Sequence, residues 1–250
     1  MVMDSPSTRC TPAVSLFIPA YNAASTINGV ISRIPGDLWR TVKNVWIIDD
    51  GSADGTAAVI DELSAIHPFI KQVRLTRNKG YGNAVRIGLS LCRNDGCDFA
   101  ACVHADGQYP PESVLPFVRA MIEKRIDLMQ GSRIASGSAL SGGMPLYKYV
   151  AGRILTAMEN RVFGLRLTDY HSGFLVYSRK ALDLLPFHRL SASFDFDLEV
   201  IASGRVAGMA VAEMPIPARY AGERSYLNPV TYGLRVLWVL MKYKAGWYGM

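Results

Sequence analysis

Residues 100–112 read AACVHADGQYPPE and mark a place where a predicted strand ends in polar side chains. Small apolar residues over 99–103 predict a buried strand, and the two prolines and the glutamate that close the stretch predict the start of a helix. Between the two lie His104, Asp106 and Gln108. Open α/β sheets bind their ligands outside the carboxyl ends of the strands. The stretch therefore predicts an α/β fold with a ligand site at this edge.

Strands and helices alternate on both sides of this stretch, at the spacing of βαβ units. Short β-rich runs predict strands at 14–18, 45–48, 73–75, 99–103 and 127–129. Helical patterns lie between them at 23–34, 54–66, 83–92 and 112–124. Parallel strands with right-handed crossovers are the default arrangement for such a chain. The first half of the chain therefore predicts a mainly parallel, Rossmann-like central sheet flanked by helices.

Four polar motifs follow four of the predicted strands. They are PAYN at 19–22, DDGS at 49–52, RNKG at 77–80 and HADGQ at 104–108. Because the carboxyl ends of parallel strands meet at one edge of a sheet, we expect these motifs to converge there. This convergence is the main functional signal that we find in the residues themselves.

The second half of the chain is less regular. Its predicted elements are a flexible loop at 136–143, a helix at 144–163, a strand within 169–177, a helix at 194–202, a strand at 210–213, a polar loop at 218–228 and a helix at 230–248. In the last helix Leu234, Leu237, Trp238 and Met241 have the spacing of one apolar face. That face either packs on the domain or lies on a membrane surface. We expect a flexible tail at 1–12, one domain at 13–228 and this amphipathic helix at 229–250.

Composition narrows the class of protein. Half of the 250 residues are hydrophobic, so the chain can bury a sizeable core. The net charge of +6 suits an anionic partner, but the basic residues are scattered, which argues against nucleic acid. The four cysteines form no CxxC pair, and no apolar run reaches the ~18 residues of a membrane span. We expect a cytoplasmic protein, with peripheral contact to the cytoplasmic face of a membrane as an option.

The residue types at the predicted edge suit a nucleoside diphosphate held with a divalent metal. Asp106 and Gln108 supply hard oxygen donors of the kind that Mg²⁺ and Mn²⁺ prefer. Asp49 or Asp50 could accept hydrogen bonds from a base or ribose. Arg133, like Arg219, could neutralise phosphate. The chain has no GxxxxGK[ST] motif and no complete GxGxxG, so an ATPase or a dinucleotide enzyme is disfavoured.

Seven segments together resemble a known family. They are VSLFIPAYNAASTI at 14–27, WIIDDGSADGT at 46–56, RLTRNKGYGNAVRIGL at 74–89, CVHADGQYPPE at 102–112, MQGSRI at 129–134, TDYHSGFLVYSRKAL at 168–182 and FDFDLEVIASG at 194–204. In this order and spacing they resemble the inverting family-two glycosyltransferases of GT-A fold. Among these, the chain is most similar to the dolichyl- and polyprenyl-phosphate mannosyl- and glucosyltransferases. The resemblance covers about residues 14–243.

The resemblance implies a GDP- or UDP-linked sugar donor, Mg²⁺ or Mn²⁺ as cofactor, and a polyprenyl phosphate as one candidate acceptor. By matching position, the residues expected at the nucleotide are Pro19, Tyr21, Asn22, Asp49, Asp50, Lys79 and Ala105. Those expected at the metal are Asp106, Gln108 and His104, and those expected to serve catalysis are Asp197, Arg133 and Arg219. For a hydroxyl acceptor Asp197 would be the general base, whereas a lipid phosphate is already ionised and needs none.

Two positions depart from the family pattern. The acidic residue that usually follows Asn22 is Ala23 here, and the usual DxD motif is His104-Ala-Asp106. The metal therefore has one carboxylate fewer, and we expect weak metal binding without nucleotide. The HADGQ form is similar to that of bacterial members of the family, so we expect a bacterial enzyme, and the change at residue 104 does not by itself imply inactivity.

Two other classes of protein remain open. A nucleotidyltransferase would share the fold type, but its Gly-rich, Lys-containing loop is absent from PAYNAAS. A non-catalytic scaffold that binds nucleotide sugars would explain the changes at Ala23 and His104. Release of nucleotide from a donor separates the scaffold from an enzyme. The sequence carries no indication of the oligomeric state.

Overall fold

The computed structural model of the protein describes residues 11–218 and 228–249. The strands are β1 (Val14–Ala20), β2 (Val42–Asp49), β3 (Ile70–Arg74), β4 (Phe99–Cys102), β5 (Leu128–Ser132), β6 (Leu175–Ser178) and β7 (Val211–Pro215). The α-helices are α1 (Ile27–Ser32), α2 (Gly36–Trp39), α3 (Thr56–Ile66), α4 (Tyr81–Asn94), α5 (Val114–Lys124), α6 (Leu146–Phe163), α7 (Arg179–Leu184), α8 (Phe196–Val206) and α9 (Pro229–Lys244). The predicted tail lies outside the described residues except for 11 and 12.

The seven strands form one sheet in the order β3-β2-β1-β4-β6-β5-β7. β1 to β4 pair in parallel, as predicted, and β7 pairs in parallel with β5. β6 lies between β4 and β5 and runs antiparallel to both. The predicted α/β fold with a mainly parallel sheet is therefore confirmed. The sequence pattern could not show that a later strand is inserted between the fourth and the fifth.

The strands that carry the polar motifs lie at the centre of the core. β1 has four fully buried apolar residues on its two faces: Val14, Leu16, Phe17 and Ile18. A strand in a parallel sheet that is covered on both faces buries its apolar side chains in this way. α4 lies directly on this strand, because a Cβ on Gly88 would come within 2.6 Å of the Phe17 ring. This close contact fixes the start of α4 at the carboxyl edge of the sheet.

α1 begins later than the predicted residue 23. The backbone N–H of Ala23 donates to Thr56 Oγ1 at 2.8 Å, and that of Ala24 donates to Asp54 Oδ2 at 3.1 Å. Asn22 has a left-handed φ of 50°. These bonds hold the segment as a loop against the start of α3. Side-chain acceptors thus satisfy two N–H groups that would have no partner inside a helix, and the regular helix begins only at Ile27.

α9 packs on the domain through a different face from the predicted one. Its buried side chains are Val236, Val239 and Leu240, and they belong to the main hydrophobic core. The predicted apolar stripe is instead exposed: Leu234 by 64%, Leu237 by 38%, Trp238 by 56% and Met241 by 57%. The helix is apolar on two faces, so periodicity alone could not select the inner one. Of the two alternatives stated for this stripe, packing on the domain is wrong.

Ion pairs anchor α9 to the start of α8. Arg235 Nη1 lies 3.3 Å from Asp195 Oδ1, and Lys242 pairs with Glu199. Glu199 also accepts a hydrogen bond of 2.7 Å from the Tyr248 hydroxyl. Among the described residues, we find no helix with both the length and the apolar character needed to cross a bilayer.

We expect Leu240→Ala and Leu234→Ala to affect stability very differently. Leu240 is 5% exposed, so its truncation should lower the free energy of unfolding by about 2–5 kcal/mol. Leu234 is 64% exposed, and its truncation should change that free energy by less than about 0.5 kcal/mol. Urea unfolding of the two variants measures the difference. Equal losses would contradict the observed orientation of α9.

Candidate active site

The loop after β2 holds the loop before α4 through a buried carboxylate. Asp50 Oδ1 accepts the backbone N–H of Lys79 at 2.7 Å, and Oδ2 accepts that of Gly80 at 2.9 Å. Gly51, with a φ of 72°, lies so close to Arg77 that a Cβ would come within 2.4 Å of its backbone. Two predicted motifs, DDGS and RNKG, therefore form one structural unit. Asp50 is 4% exposed, so its carboxylate links the two loops from a buried position.

The loop after β1 joins the same unit. The Asn22 side-chain oxygen accepts the backbone N–H of Ala53 at 3.0 Å, and the Asn22 N–H donates to Ser52 Oγ at 2.9 Å. Pro19 pairs with Ile48 in the sheet, and Tyr21 is 38% exposed beside it. The PAYN motif thus lies next to the DDGS motif at the carboxyl edge, where the sequence predicted it.

Asp49 ends β2 in full burial. Its Oδ1 accepts the backbone N–H of Ser52 at 2.9 Å, whereas its buried Oδ2 has no hydrogen-bond partner and lies 3.9 Å from Arg74 Nε. Ala105, another residue predicted at the nucleotide, is also buried, and the Lys79 side chain is exposed. The predicted nucleotide residues therefore surround the ends of β1 to β4.

A cavity of about 360 Å³ opens beside these strand ends. It is bounded by the start of α4, the loop after β4, the end of β5, α6, the loop before β6, α8 and the start of α9. Five of the predicted metal and catalytic residues contribute to its lining: His104, Asp106, Gln108, Arg133 and Asp197. The residues predicted at the nucleotide lie outside this lining, so the two predicted groups form adjoining parts of one edge.

The loop that carries Asp106 is tightly held. Asp106 Oδ1 accepts the backbone N–H of Gln108 at 3.0 Å. Arg33 clamps the loop from outside, donating to the Gly107 carbonyl at 2.9 Å and to both oxygens of Glu112 at 2.9 and 3.0 Å. A bidentate arginine–carboxylate pair fixes geometry as well as charge. Arg33 therefore holds the backbone of the loop that carries Asp106, a contact that its sequence context did not reveal.

His104 contacts Tyr81 at the inner side of the cavity. His104 Nε2 lies 3.2 Å from the Tyr81 hydroxyl, and a Cβ on Gly173 would come within 2.4 Å of the imidazole. Burial lowers the pKa of His104 below its usual value. The ring therefore has a hydrogen-bonding partner within the protein, the Tyr81 hydroxyl, independent of any metal. Metal ligation by His104 stays a prediction.

Asp197 lies behind the same tyrosine. Tyr81 donates to Asp197 Oδ2 at 2.7 Å, while Asp197 Oδ1 is buried without a hydrogen-bond partner. Burial raises the pKa of Asp197 to about 7, and the hydrogen bond from Tyr81 offsets part of that rise. Asp197 is 6% exposed and Glu199 is 1% exposed. The two carboxylates are therefore buried and do not form a solvated helix face.

Arg133 is held by the loop before β6. Its Nε donates to Asp169 Oδ2 at 3.1 Å, and its Nη2 donates to the His171 carbonyl at 2.8 Å. The Arg133 guanidinium keeps the pKa of Asp169 below its usual value, against the effect of burial. The pair fixes the orientation of the guanidinium in the cavity wall.

The sequence analysis missed three residues that shape the cavity: Tyr81, Asp169 and His171. Tyr81 lies between two glycines. The other two lie in the DYHSG segment, which we interpreted as the start of a strand and as part of the family resemblance without giving its residues a role. Polar residues immediately before an apolar strand were the available signal. Arg219, predicted to meet phosphate, lies outside the described residues.

Within 11–218 and 228–249, no three His, Cys, Asp or Glu side chains converge as a metal site. Of the predicted metal residues, Asp106 and Gln108 offer hard oxygen donors at the cavity. The carboxylates of Asp169 and Asp197 also line it, but they are engaged by Arg133 and Tyr81. Asp106 and Gln108 suit Mg²⁺ or Mn²⁺ only when phosphate oxygens or water complete the coordination shell. The residues present therefore fit a metal that arrives with a nucleoside diphosphate.

Comparison with known proteins identifies the class to which this fold and edge belong. Solved structures of similar fold include glucosyl-3-phosphoglycerate synthase of Mycobacterium tuberculosis in complex with Mn²⁺, uridine diphosphate and phosphoglyceric acid, at a TM-score of 0.66 and 18% identity over 96% of this chain and 79% of that one. The protein has the GT-A fold of glycosyltransferases. The Glycosyl transferase family 2 model matches residues 15–185, so the chain belongs to that family.

Two curated relatives match most of the chain. A UDP-N-acetylglucosamine–dolichyl-phosphate N-acetylglucosaminyltransferase of Methanococcus voltae is 26% identical over 93% of this chain and 96% of its own length. A polyprenol monophosphomannose synthase of Mycolicibacterium smegmatis is 25% identical over 85% of this chain and 80% of its own length. The resemblance stated from the sequence, to family two and to its polyprenyl-phosphate members, is confirmed.

We expect Asp50→Ala to weaken nucleoside diphosphate binding at least tenfold and also to destabilise the fold. The variant leaves two backbone N–H groups without their charged acceptor, and a hydrogen bond to a charged group contributes about 1.5–3 kcal/mol. Calorimetric titration with UDP and GDP, together with urea unfolding, measures both effects. Asp61→Ala, on the exposed side of α3, is the control. Unchanged nucleotide affinity would remove this loop unit from the nucleotide site.

Proposed function

We propose that the protein is an inverting glycosyltransferase that moves a sugar from a GDP- or UDP-linked donor to a polyprenyl phosphate, with Mg²⁺ or Mn²⁺ as cofactor. The observation that carries this proposal is the cavity that collects Asp106, Gln108, Arg133 and Asp197 beside the DDGS and RNKG loops. Family membership and the relatives named for lipid-phosphate acceptors support it.

In this proposal, the loops at Tyr21, Asp49 and Asp50 bind the nucleoside part of the donor. These loops border the cavity at the ends of β1 and β2 and are linked by hydrogen bonds. The diphosphate would then extend to Asp106 and Gln108. This arrangement follows the order of the strands across the sheet edge, from β2 through β1 to β4.

The state of Asp197 favours an acceptor that is already ionised. One of its oxygens accepts a hydrogen bond from the Tyr81 hydroxyl, and the other is shielded from solvent. A general base must reach the proton that it removes. Asp197 lines the cavity, but its Oδ2 is engaged by Tyr81 and its Oδ1 is buried, so neither oxygen is aimed at an acceptor hydroxyl. A phosphate acceptor needs no base. We therefore assign the acceptor class to lipid phosphates and give Asp197 a positioning role through Tyr81.

The proposed chemistry is a single displacement at the anomeric carbon. An oxygen of the acceptor phosphate forms the new bond, and the bond to the donor diphosphate breaks with its electron pair leaving on the nucleoside diphosphate. Attack from the face opposite the leaving group inverts the anomeric carbon. When bound, the divalent cation supplies positive charge beside the leaving diphosphate. Arg133, oriented by Asp169, adds a second positive charge in the same cavity.

A donor and acceptor screen tests the proposal. The purified protein is incubated with UDP-N-acetylglucosamine, UDP-glucose or GDP-mannose, Mn²⁺, and a short-chain polyprenyl phosphate in detergent micelles. We expect one donor to release its nucleoside diphosphate in step with a glycolipid whose anomeric configuration, measured by NMR, is inverted. Binding of a donor without nucleotide release would favour the scaffold. Retention of configuration would contradict the proposed displacement.

A further inference from the structure

Two helices beside the cavity expose an unusual amount of apolar surface. On α6 the exposed large side chains are Leu146, Tyr147, Val150, Ile154 and Met158. On α9 they are Val230, Leu234, Leu237, Trp238 and Met241. Five large apolar side chains on each of two neighbouring helices form a patch that a soluble surface rarely shows. We call this surface the α6–α9 face.

The two helices lie side by side and point the same way. Their first turns both line the cavity, through Tyr147 and Pro229. Near their carboxyl ends the rings of Phe163 and Tyr243 meet edge to face, with centroids 4.8 Å apart. Each helix buries its opposite side in the domain, as Phe163 and Val239 show. The exposed sides of the two helices therefore form one continuous surface.

The exposed charges on the two helices themselves have one sign. The exposed ionised residues of the two helices are the cations Arg153, Arg161, Arg235 and Lys244. Glu159 is the one acidic residue within 146–163 and 229–244, and it is fully buried. Basic residues beside exposed apolar side chains are the combination that binds anionic membrane surfaces.

We propose that the α6–α9 face docks on an anionic lipid bilayer. The apolar side chains enter the headgroup boundary, and Arg153, Arg161 and Lys244 meet the lipid phosphates, while Arg235 stays paired with Asp195. A second copy of the chain is the less suitable occupant, because a symmetric contact would bring the same cations together without an exposed acidic partner on either helix. The charge pattern therefore selects the lipid surface over a dimer.

Docking in this orientation has a consequence for the acceptor, which rests on the proposed function. Tyr147 is exposed on the face and also lines the cavity, as does the partly exposed Lys148. The cavity is thus continuous with the docked surface. A polyprenyl phosphate could present its headgroup to the cavity while its chain stays in the bilayer.

Vesicle flotation tests the docking directly and does not depend on catalysis. We expect the wild-type protein to float with phosphatidylcholine vesicles that contain about 30% phosphatidylglycerol, and to float less with pure phosphatidylcholine. The double variant Leu234→Glu/Trp238→Glu should bind at least tenfold more weakly, since two apolar anchors are replaced by anions. The control Ile66→Glu/Ile122→Glu changes two exposed apolar residues elsewhere and should bind like wild type. Thermal unfolding verifies that both double variants are folded.

The outcomes separate the candidate occupants. Vesicle binding that Leu234→Glu/Trp238→Glu leaves unchanged overturns the proposal, and so does a wild-type protein that ignores anionic vesicles. A wild-type dimer that fails to bind vesicles and dissociates in this variant, measured by sedimentation, assigns the face to a second copy instead.

A transfer assay then distinguishes docking from the proposed function. Leu234→Glu/Trp238→Glu should lose transfer to a long-chain polyprenyl phosphate embedded in vesicles, yet keep transfer to a short-chain acceptor in micelles. If the double variant loses vesicle binding but neither it nor the wild type transfers sugar to any acceptor, docking is supported and the proposed function is refuted. Equal transfer from vesicles by the variant and the wild type would refute docking as the route of the acceptor.

Discussion

Asp106→Ala should abolish metal-dependent turnover of the sugar donor while leaving the fold intact. Asp106 is the carboxylate that the structure places at the cavity beside Gln108, on a loop that Arg33 holds in position. Within 11–218 and 228–249, no group of three or more His, Cys, Asp or Glu side chains forms a metal site around it. Loss of one preorganised electrostatic partner typically costs about 10²–10³ in rate. We expect at least this loss, because the metal would lose its protein anchor as well.

The measurement combines donor turnover with a Mn²⁺ titration, each with and without nucleoside diphosphate. Wild-type protein should bind Mn²⁺ weakly alone and more tightly when the diphosphate completes the shell. Mn²⁺ should support activity at least as well as Mg²⁺, because an imidazole near the site suits softer ions. Full activity of Asp106→Ala, or tight binding of Mn²⁺ to the nucleotide-free wild type, would falsify this account of the site.

Variants of His104 provide the matched controls. His104→Ala should be milder than Asp106→Ala, because its Nε2 contacts the Tyr81 hydroxyl and its loss leaves the carboxylate in place. His104→Asp restores the second carboxylate of the family motif and should strengthen Mn²⁺ binding in the absence of nucleotide. An activity loss in His104→Ala as large as that in Asp106→Ala would make His104 a direct participant.

Asp197→Asn should gain stability relative to the wild type as the pH rises. The difference in free energy of unfolding, variant minus wild type, should be larger at alkaline pH than at acidic pH. Burial raises the pKa of Asp197 from 3.8 to about 7. Between these values the unfolded chain is ionised while the folded protein keeps its proton. Wild-type stability therefore falls by up to ~1.4 kcal/mol per pH unit as pH rises through this window, and it levels off above pH 7. Asparagine does not ionise, so the variant lacks this loss.

Urea unfolding at pH 5 and pH 8 measures the effect. The free energy of unfolding of Asp197→Asn, relative to wild type, should rise by about 2–3 kcal/mol between the two conditions. Comparing the two conditions cancels any constant cost of burying the asparagine amide. Asp61→Asn on exposed α3 serves as control and should show no such rise. Parallel pH profiles of wild type and Asp197→Asn would show that Asp197 is not held in a buried, protonated state.

Transfer by the same variant tests the positioning role. Asparagine keeps an oxygen that can accept the Tyr81 hydroxyl, so transfer to a lipid phosphate should fall less than about tenfold. General-base catalysis is worth about 10²–10⁴ in rate. A loss of that size with a proven hydroxyl acceptor, with donor binding intact, would return Asp197 to the role of base.

The strand ends and their motifs were readable from the sequence because local rules govern them. Short apolar runs that stop at DDGS or HADGQ predicted β2 and β4, and both are parallel strands of the central sheet. The resemblance of these motifs to family two agrees with the family match over 15–185. A buried strand, its turn and the helix that follows occupy adjacent residues, so their pattern survives in the order of the chain.

Tertiary structure alone decided the partners of the functional side chains. Tyr81 meets Asp197 across 116 positions of sequence, and Arg133 meets Asp169 across 36. Contacts at such separations depend on how the chain returns to the sheet, including the insertion of β6 between β4 and β5.

The same distinction explains α9. Its sequence carries two apolar faces, and the spacing of Leu234, Leu237, Trp238 and Met241 predicted a helix correctly. Which face is buried was set by the surface of the domain, where Asp195 and Glu199 of the α8 region pair with Arg235 and Lys242. Periodicity determines that a helix forms, because it reflects neighbours along one chain. Orientation depends on the shape and charge of a distant surface, which no local pattern contains.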